Sequence, residues 1–195
     1  MATTLASDGF QHGAWLSQHL GNLAWAFGKL EVDVTQAVRH MILGLARIAR
    51  ELARKSRLEP RHVEQILTGF TSLRLRPGEE AGLVGFLATW PELRQQDVSS
   101  LTATAFSFAR WWGSVAESQE HDHLRYVTQW CVDAQKRIVS RWSDLNSKDL
   151  VKWASIAGAR PSVLPLESTQ AILTGLGPAA RACLTRFNHH ELSVL

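Results

Sequence analysis

Apolar residues return every three or four positions along almost the whole of this chain, and no run alternates strictly between apolar and polar. A half-buried strand needs that alternation, whereas a helix resting on a core needs the longer step. The chain therefore reads as all-α. The segment VTQAVRHMILGLARIARELARKS shows the pattern best: Val38, Met41, Leu45, Ile48 and Leu52 form one stripe, with Asp33 placed to cap the helix start. Arg47, Arg50, Arg54 and Arg57 repeat that spacing two positions on. At about 100° per residue they fall, with Arg39, on the opposite side. One helix thus carries an apolar face and a basic face.

Punctuation sets the remaining elements. Pro60 suits the first helical position of PRHVEQILTGFTSLRL, which Pro77 and Gly78 terminate, and a further helix runs to Trp90 and stops at Pro91. QQDVSSLTATAFSFARWW is helical, and the polar, acidic stretch from Gly113 to Asp122 reads as a loop. LRYVTQWCVDAQKRIVSRW is a long helix, Ser147 caps KDLVKWASIAGA, and ESTQAILTGL opens a helix that Gly177 and Pro178 interrupt.

A length of 195 residues, 45% hydrophobic and 20% charged, allows one sizeable core or one continuous repeat array. The two cysteines, Cys131 and Cys183, make no disulfide framework and suit a reducing compartment as small buried side chains. The stretch from Gly9 to Gly28 lacks Asp, Glu, Lys and Arg, but His12, His19, Gln11, Gln18, Ser17 and Asn22 make it too polar for bilayer hydrocarbon. No membrane insertion is expected. Lys29 is the first Lys or Arg, so neither the charged start of a signal peptide nor an Arg-rich presequence is visible.

Internal repetition carries the architecture. Leu20, Val63, Val98, Leu150 and Leu192 each follow a polar residue (His19, His62, Asp97, Asp149, Glu191) and precede a large apolar residue three positions on (Leu23, Ile66, Leu101, Trp153, Leu195). Small residues follow at the sixth or seventh position: Ala26, Gly69, Ala105 and Ala157. The anchors stand 43, 35, 52 and 42 residues apart, near the period of helical hairpins. The expected fold is a short α-solenoid of stacked helical hairpins, about four units plus a partial fifth, forming a single array over 1–195 with units 15–57, 58–94, 95–145, 146–186 and 187–195.

The segments QHLGNLAWAFGKLEV, RHVEQILTGFTSLRLRP and QDVSSLTATAFSFARW resemble the octotricopeptide and heptatricopeptide repeat proteins of algae, dinoflagellates and apicomplexans. These are similar in turn to the helical region beside RAP domains in FAST-kinase-like proteins. Leu23, Trp25, Ala26, Lys29 and Leu30 match the repeat core, the second and third copies keep the apolar spacing without the tryptophan, and the fourth displaces it to Trp153. No terminal RAP domain is expected from these residues. The resemblance implies a protein of mitochondria, or alternatively plastids, that binds organellar RNA or serves as a subunit of a divergent organellar ribosome.

Charge gives the chemical lead. From Arg39 to Arg76 nine bases (Arg39, Arg47, Arg50, Arg54, Lys55, Arg57, Arg61, Arg74, Arg76) face three acids, a local net of +6 against +3 for the whole chain. Rows of Arg and Lys bind phosphate backbones by releasing counterions, and Arg adds bidentate geometry. The second position after each anchor, Asn22, Gln65, Ser100 and Lys152, would present polar side chains to bases in register. Helical spacing makes Trp25, Trp90, Trp111, Trp112, Trp130, Trp142 and Trp153 interlocking core before it makes them stacking platforms. His121 and His123 lack supporting ligands and are read as a loop or helix start, so no metal and no cofactor are expected. No nucleophile elbow, phosphate loop or zinc-protease motif occurs, and the chain reads as no enzyme.

The expected function is RNA binding without catalysis in an organelle, as a mitochondrial ribosome subunit contacting rRNA. The alternative is a protein–protein adaptor or structural subunit of a large organellar assembly. Its partners would meet the C-terminal end, where the unfinished FNHHELSVL exposes Leu192 and Leu195.

Overall fold

The computed structural model describes residues 17–30, 35–73, 77–115, 121–159 and 161–193. Every regular element among them is helical, so the chain is all-α. It divides into two compact units, Met1–Trp90 and Pro91–Leu195.

Unit 1 holds α1 (Ser17–Lys29), α2 (Gln36–Arg54), α3 (Pro60–Ser72) and α4 (Pro77–Thr89). Helix α1 packs on α3, α2 on α4, and α1 on α2. The first helices of two hairpins therefore lie side by side, and so do the second helices. Small residues decide how close α1 and α3 come: a Cβ built on Gly28 would stand 2.8 Å from the Gly69 Cα, and one on Gly69 would strike the Ala24 carbonyl. A polar tie fixes their starts, with Ser17 Oγ 2.7 Å from His62 Nδ1 and accepting the Glu59 N–H at 2.9 Å. Beneath them Leu20, Ala24, Leu45, Ala49, Val63, Ile66, Leu67 and Leu87 are shut off from water.

Two boundaries differ from the expected ones. Helix α2 is capped by Thr35, whose hydroxyl accepts the Val38 N–H at 3.4 Å. Asp33, the expected cap, lies outside the described residues. Helix α3 closes at Ser72, and Pro77 opens α4 instead of terminating α3. A proline has its φ preset for helix and needs no donor in the first turn, so it starts an element as readily as it ends one.

Unit 2 begins with a 3-10 turn, Pro91–Gln95, and continues through α5 (Val98–Val115), α6 (His121–Val139), a 3-10 turn at Trp142–Asp144, α7 (Ser147–Gly158), α8 (Leu166–Ala182), a 3-10 turn at Leu184–Arg186 and α9 (His189–Leu192). The packing pattern of unit 1 recurs within it: α5 lies on α7, α6 on α8, α5 on α6, α7 on α8, and α9 on α7. The Trp153 indole N–H donates to Thr102 Oγ1 at 3.0 Å in the buried α5–α7 seam, and Phe108 meets Trp130 edge-on at 5.0 Å between α5 and α6.

Capping explains where these helices start. The Asn146 side chain accepts the Asp149 N–H at 3.0 Å, so Asn146 and not Ser147 caps α7. The preference is physical: an amide oxygen at the N-cap reaches the third amide, and its NH2 donates to the Asp149 carboxylate at 2.7 Å. Asn188 and Glu191 repeat the device at α9 as a reciprocal capping box. Helix α8 runs on through Gly177 and Pro178 where an interruption was expected. Pro178 and Thr174 are both exposed, so the carbonyl left without its donor can turn to water.

Asp97 caps α5, accepting the Ser99 and Ser100 amides and, at 2.7 Å, the Ser100 hydroxyl. The Ser100 hydroxyl, then the backbone amides, hold its carboxyl below the ordinary aspartate range. Its stabilising effect is therefore complete above the ordinary value and fades as pH falls through the lowered one. Asp97→Ala is expected to cost about 1 kcal/mol near neutrality, with wild type and variant converging in acid; denaturant midpoints across pH measure it. A gap that persists in strong acid would remove the capping carboxylate as its cause.

Candidate nucleic-acid interface

The basic residues gather around α2 because its buried positions, Ile42, Leu45, Ala46, Ile48, Ala49, Leu52 and Ala53, occupy one side and leave the other to polar groups. Arg47 and Arg54 are exposed, Arg39 and Arg50 half-buried, and Lys55 exposed at the C-cap. Ser56 takes a left-handed φ of 51°, and the Arg57 N–H turns back to the Leu52 carbonyl at 2.7 Å. Arg57 is thus exposed but stands off the helical row that its spacing suggested. The side chain of Arg61, and Arg74 and Arg76 altogether, lie outside the described residues.

The row is short of counter-charge. Ion pairs between described residues include Arg94 with Asp133 at 3.5 Å, Arg141 with Asp144 at 2.8 Å and Lys152 with Asp149 at 3.7 Å, each in unit 2. No carboxylate among them pairs with Arg47, Arg50, Arg54, Lys55 or Arg57. The Arg54 guanidinium lies 5.8 Å from the Phe86 ring centroid, which anchors its stem against α4. Arg50 Nε is buried without a hydrogen-bond partner. Burial, and then the neighbouring Arg54 charge, lower the Arg50 pKa from its ordinary value. Two adjacent guanidinium groups attract an anion Coulombically, and the exposed Arg54 guanidinium can donate hydrogen bonds to it.

The four residues proposed to face bases are placed unequally. Asn22 is exposed on α1. Gln65 is half-buried, with its Oε1 enclosed beside Gly21 and unpartnered. Ser100 donates its hydroxyl to Asp97, and the Lys152 ammonium is engaged with Asp149. The row therefore presents one open side chain, Asn22, and three committed within the fold.

Tryptophans divide the same way. Trp90, Trp111, Trp130 and Trp153 are at most 5% exposed, whereas Trp25 on α1 is 46% exposed with the Lys29 ammonium 5.7 Å from its ring centroid. Spacing alone put Trp25 with the core. Its real signal is the line Gln18, Asn22, Trp25, Lys29, which follows one helix face without an aliphatic companion.

Elsewhere the chemistry is structural. A cavity of about 280 Å³ in unit 2 is lined by Leu101, Trp130 and Ala134 together with Arg94, Asp133, Lys136 and Arg137. Arg137 donates to the Arg94 and Gln96 carbonyls, strapping the 3-10 turn to α6. Cys131 is buried, and desolvation pushes its thiol well above the usual cysteine range, far from a nucleophile's requirement. No group of three His, Cys, Asp or Glu among the described residues is placed to hold a metal, and none of their helices is long and apolar enough to cross a membrane. Comparison with models of protein families, with curated proteins and with solved structures finds no match to the chain, so its function is read from this geometry.

Proposed function

We propose that this chain is a non-catalytic RNA-binding helical-repeat protein of an organelle, a short α-solenoid that holds a phosphate backbone on the basic side of α2. The observation that carries the reading is the absence of carboxylate partners for Arg47, Arg50, Arg54, Lys55 and Arg57 among the described residues. Like charges gathered along α2 and its C-terminal turn repel one another, and a polyanion relieves that repulsion by supplying the opposite charge. Hairpin-on-hairpin packing within each unit fits a solenoid, and the resemblance to organellar repeat proteins supports an organellar RNA, with rRNA of the mitochondrion as the proposed target and the plastid as the alternative compartment.

Binding is expected to weaken linearly with the logarithm of salt. Arg47→Glu, Arg50→Glu and Arg54→Glu combined should lower the slope by about 2, three contacts at about 0.7 each on a single strand. Fluorescence anisotropy of a labelled RNA over a salt series measures it, and an unchanged slope overturns the reading. A second reading, a protein adaptor, draws on unit 2, where Leu166, Leu173, Leu184 and Leu192 are 72%, 55%, 57% and 45% exposed.

A further inference from the structure

Trp25 sits where a buried core has no use for it. The residue is 46% exposed, on a helix whose buried side is made by Leu20, Gly21, Ala24 and Gly28. Gln18, Asn22 and Lys29 share its line and are all exposed, so the indole lies between an amide one turn before it and an ammonium one turn after it. The Lys29 ammonium rests 5.7 Å from the ring centroid, a contact that is weak where water reaches it. The unneutralised arginines belong to the same unit, on the helix against which α1 packs.

Each of these groups answers a different part of an unpaired nucleotide. An exposed indole face offers stacking to any base, an asparagine amide offers a donor and an acceptor to a base edge, and a flexible ammonium offers charge to a phosphate. Resting on the proposal that the chain binds RNA, we infer that Trp25 is the stacking platform for one unpaired base of a single strand, with Asn22 at the base edge and Lys29 on the adjoining phosphate. The base takes the ring face that the ammonium now covers, and the lysine stem carries the charge aside. A duplex hides its bases in the stack, so the site selects single strands.

The experiment separates stacking from charge by using two probes, oligouridine and an abasic strand of the same length. Wild type should bind oligouridine about tenfold more tightly than the abasic strand, from stacking of one base. Trp25→Ala should remove most of that preference, and Trp25→Phe should restore most of it. With 5-fluorotryptophan incorporated, the ¹⁹F resonance that disappears in Trp25→Phe should shift with oligouridine and not with the abasic strand. Equal affinities of wild type for the two probes, or an undiminished preference in Trp25→Ala, overturns the inference. If the Arg47, Arg50 and Arg54 reversal still flattens the salt response in that case, RNA binding stands and the stacking platform alone falls. If neither set of substitutions alters binding, both fall.

Discussion

Gly69→Ala is expected to destabilise unit 1 by about 3 kcal/mol, the upper end of what overpacking costs. The added Cβ falls onto the Ala24 carbonyl and close to the Trp25 N atom, which are backbone and cannot swing aside, so α1 has to lift from α3. The lift would also break the contact of Ser17 with His62 and the Glu59 amide, which hold the starts of the same two helices together. A graded series follows from the same geometry. Gly28→Ala should cost somewhat less, since its Cβ meets the Gly69 Cα at 2.8 Å, and Gly21→Ala less again because it meets the movable end of Gln65. Gly113→Ala, inside α5, meets no atom within 4 Å and should stabilise by about 0.5–1 kcal/mol through helix propensity. Denaturant midpoints give the ranking. Equal stability of Gly69→Ala and wild type would mean that the two backbones do not touch.

Trp153→Ala should cost about 3–5 kcal/mol, the range for emptying a buried aromatic site. Trp153 is fully buried, and its indole N–H is the polar link across the α5–α7 seam. Thr102 accepts that N–H while donating its own hydroxyl to the Val98 carbonyl, so both ends of the link are already satisfied. Thr102→Val keeps the volume and strands the indole donor, a loss of about 1–3 kcal/mol. Combining Thr102→Val with Trp153→Phe should recover part of the sum, because no donor then remains unpaired. Fully additive losses would show that the hydrogen bond contributes nothing.

Much of the fold is legible in the residues because burial follows spacing. Leu20, Val63, Val98 and Leu150, marked by position alone, are each at most 7% exposed, and their partners Ile66, Leu101 and Trp153 are sealed in as well, while Leu23 is half-buried. Leu192 departs, at 45% exposed, on a helix of four residues too short to cover it. Helix ends were harder to read. Asn146 and Ser147 are both competent caps, and only the actual turn shows which oxygen reaches the Asp149 amide. At the site, the arginine spacing predicted the row as far as Arg54, but the left-handed Ser56 that displaces Arg57 has no glycine to announce it. Trp25 and the core tryptophans are the same residue type at similar spacing. What separates them is the company along the helix face, which a period count averages away.

The ties between neighbouring hairpins have a corollary for chain length. Ser17 reaches His62 and Thr102 reaches Trp153, each bridging one hairpin to its successor across 45 and 51 positions. Length can therefore be inserted between two ties without misaligning either. Helix α5 has 18 residues where α1 and α3 have 13, yet its start meets the helix that follows its hairpin. A change of length within one hairpin therefore needs no matching change in the next, since each tie sets only the two helices it joins.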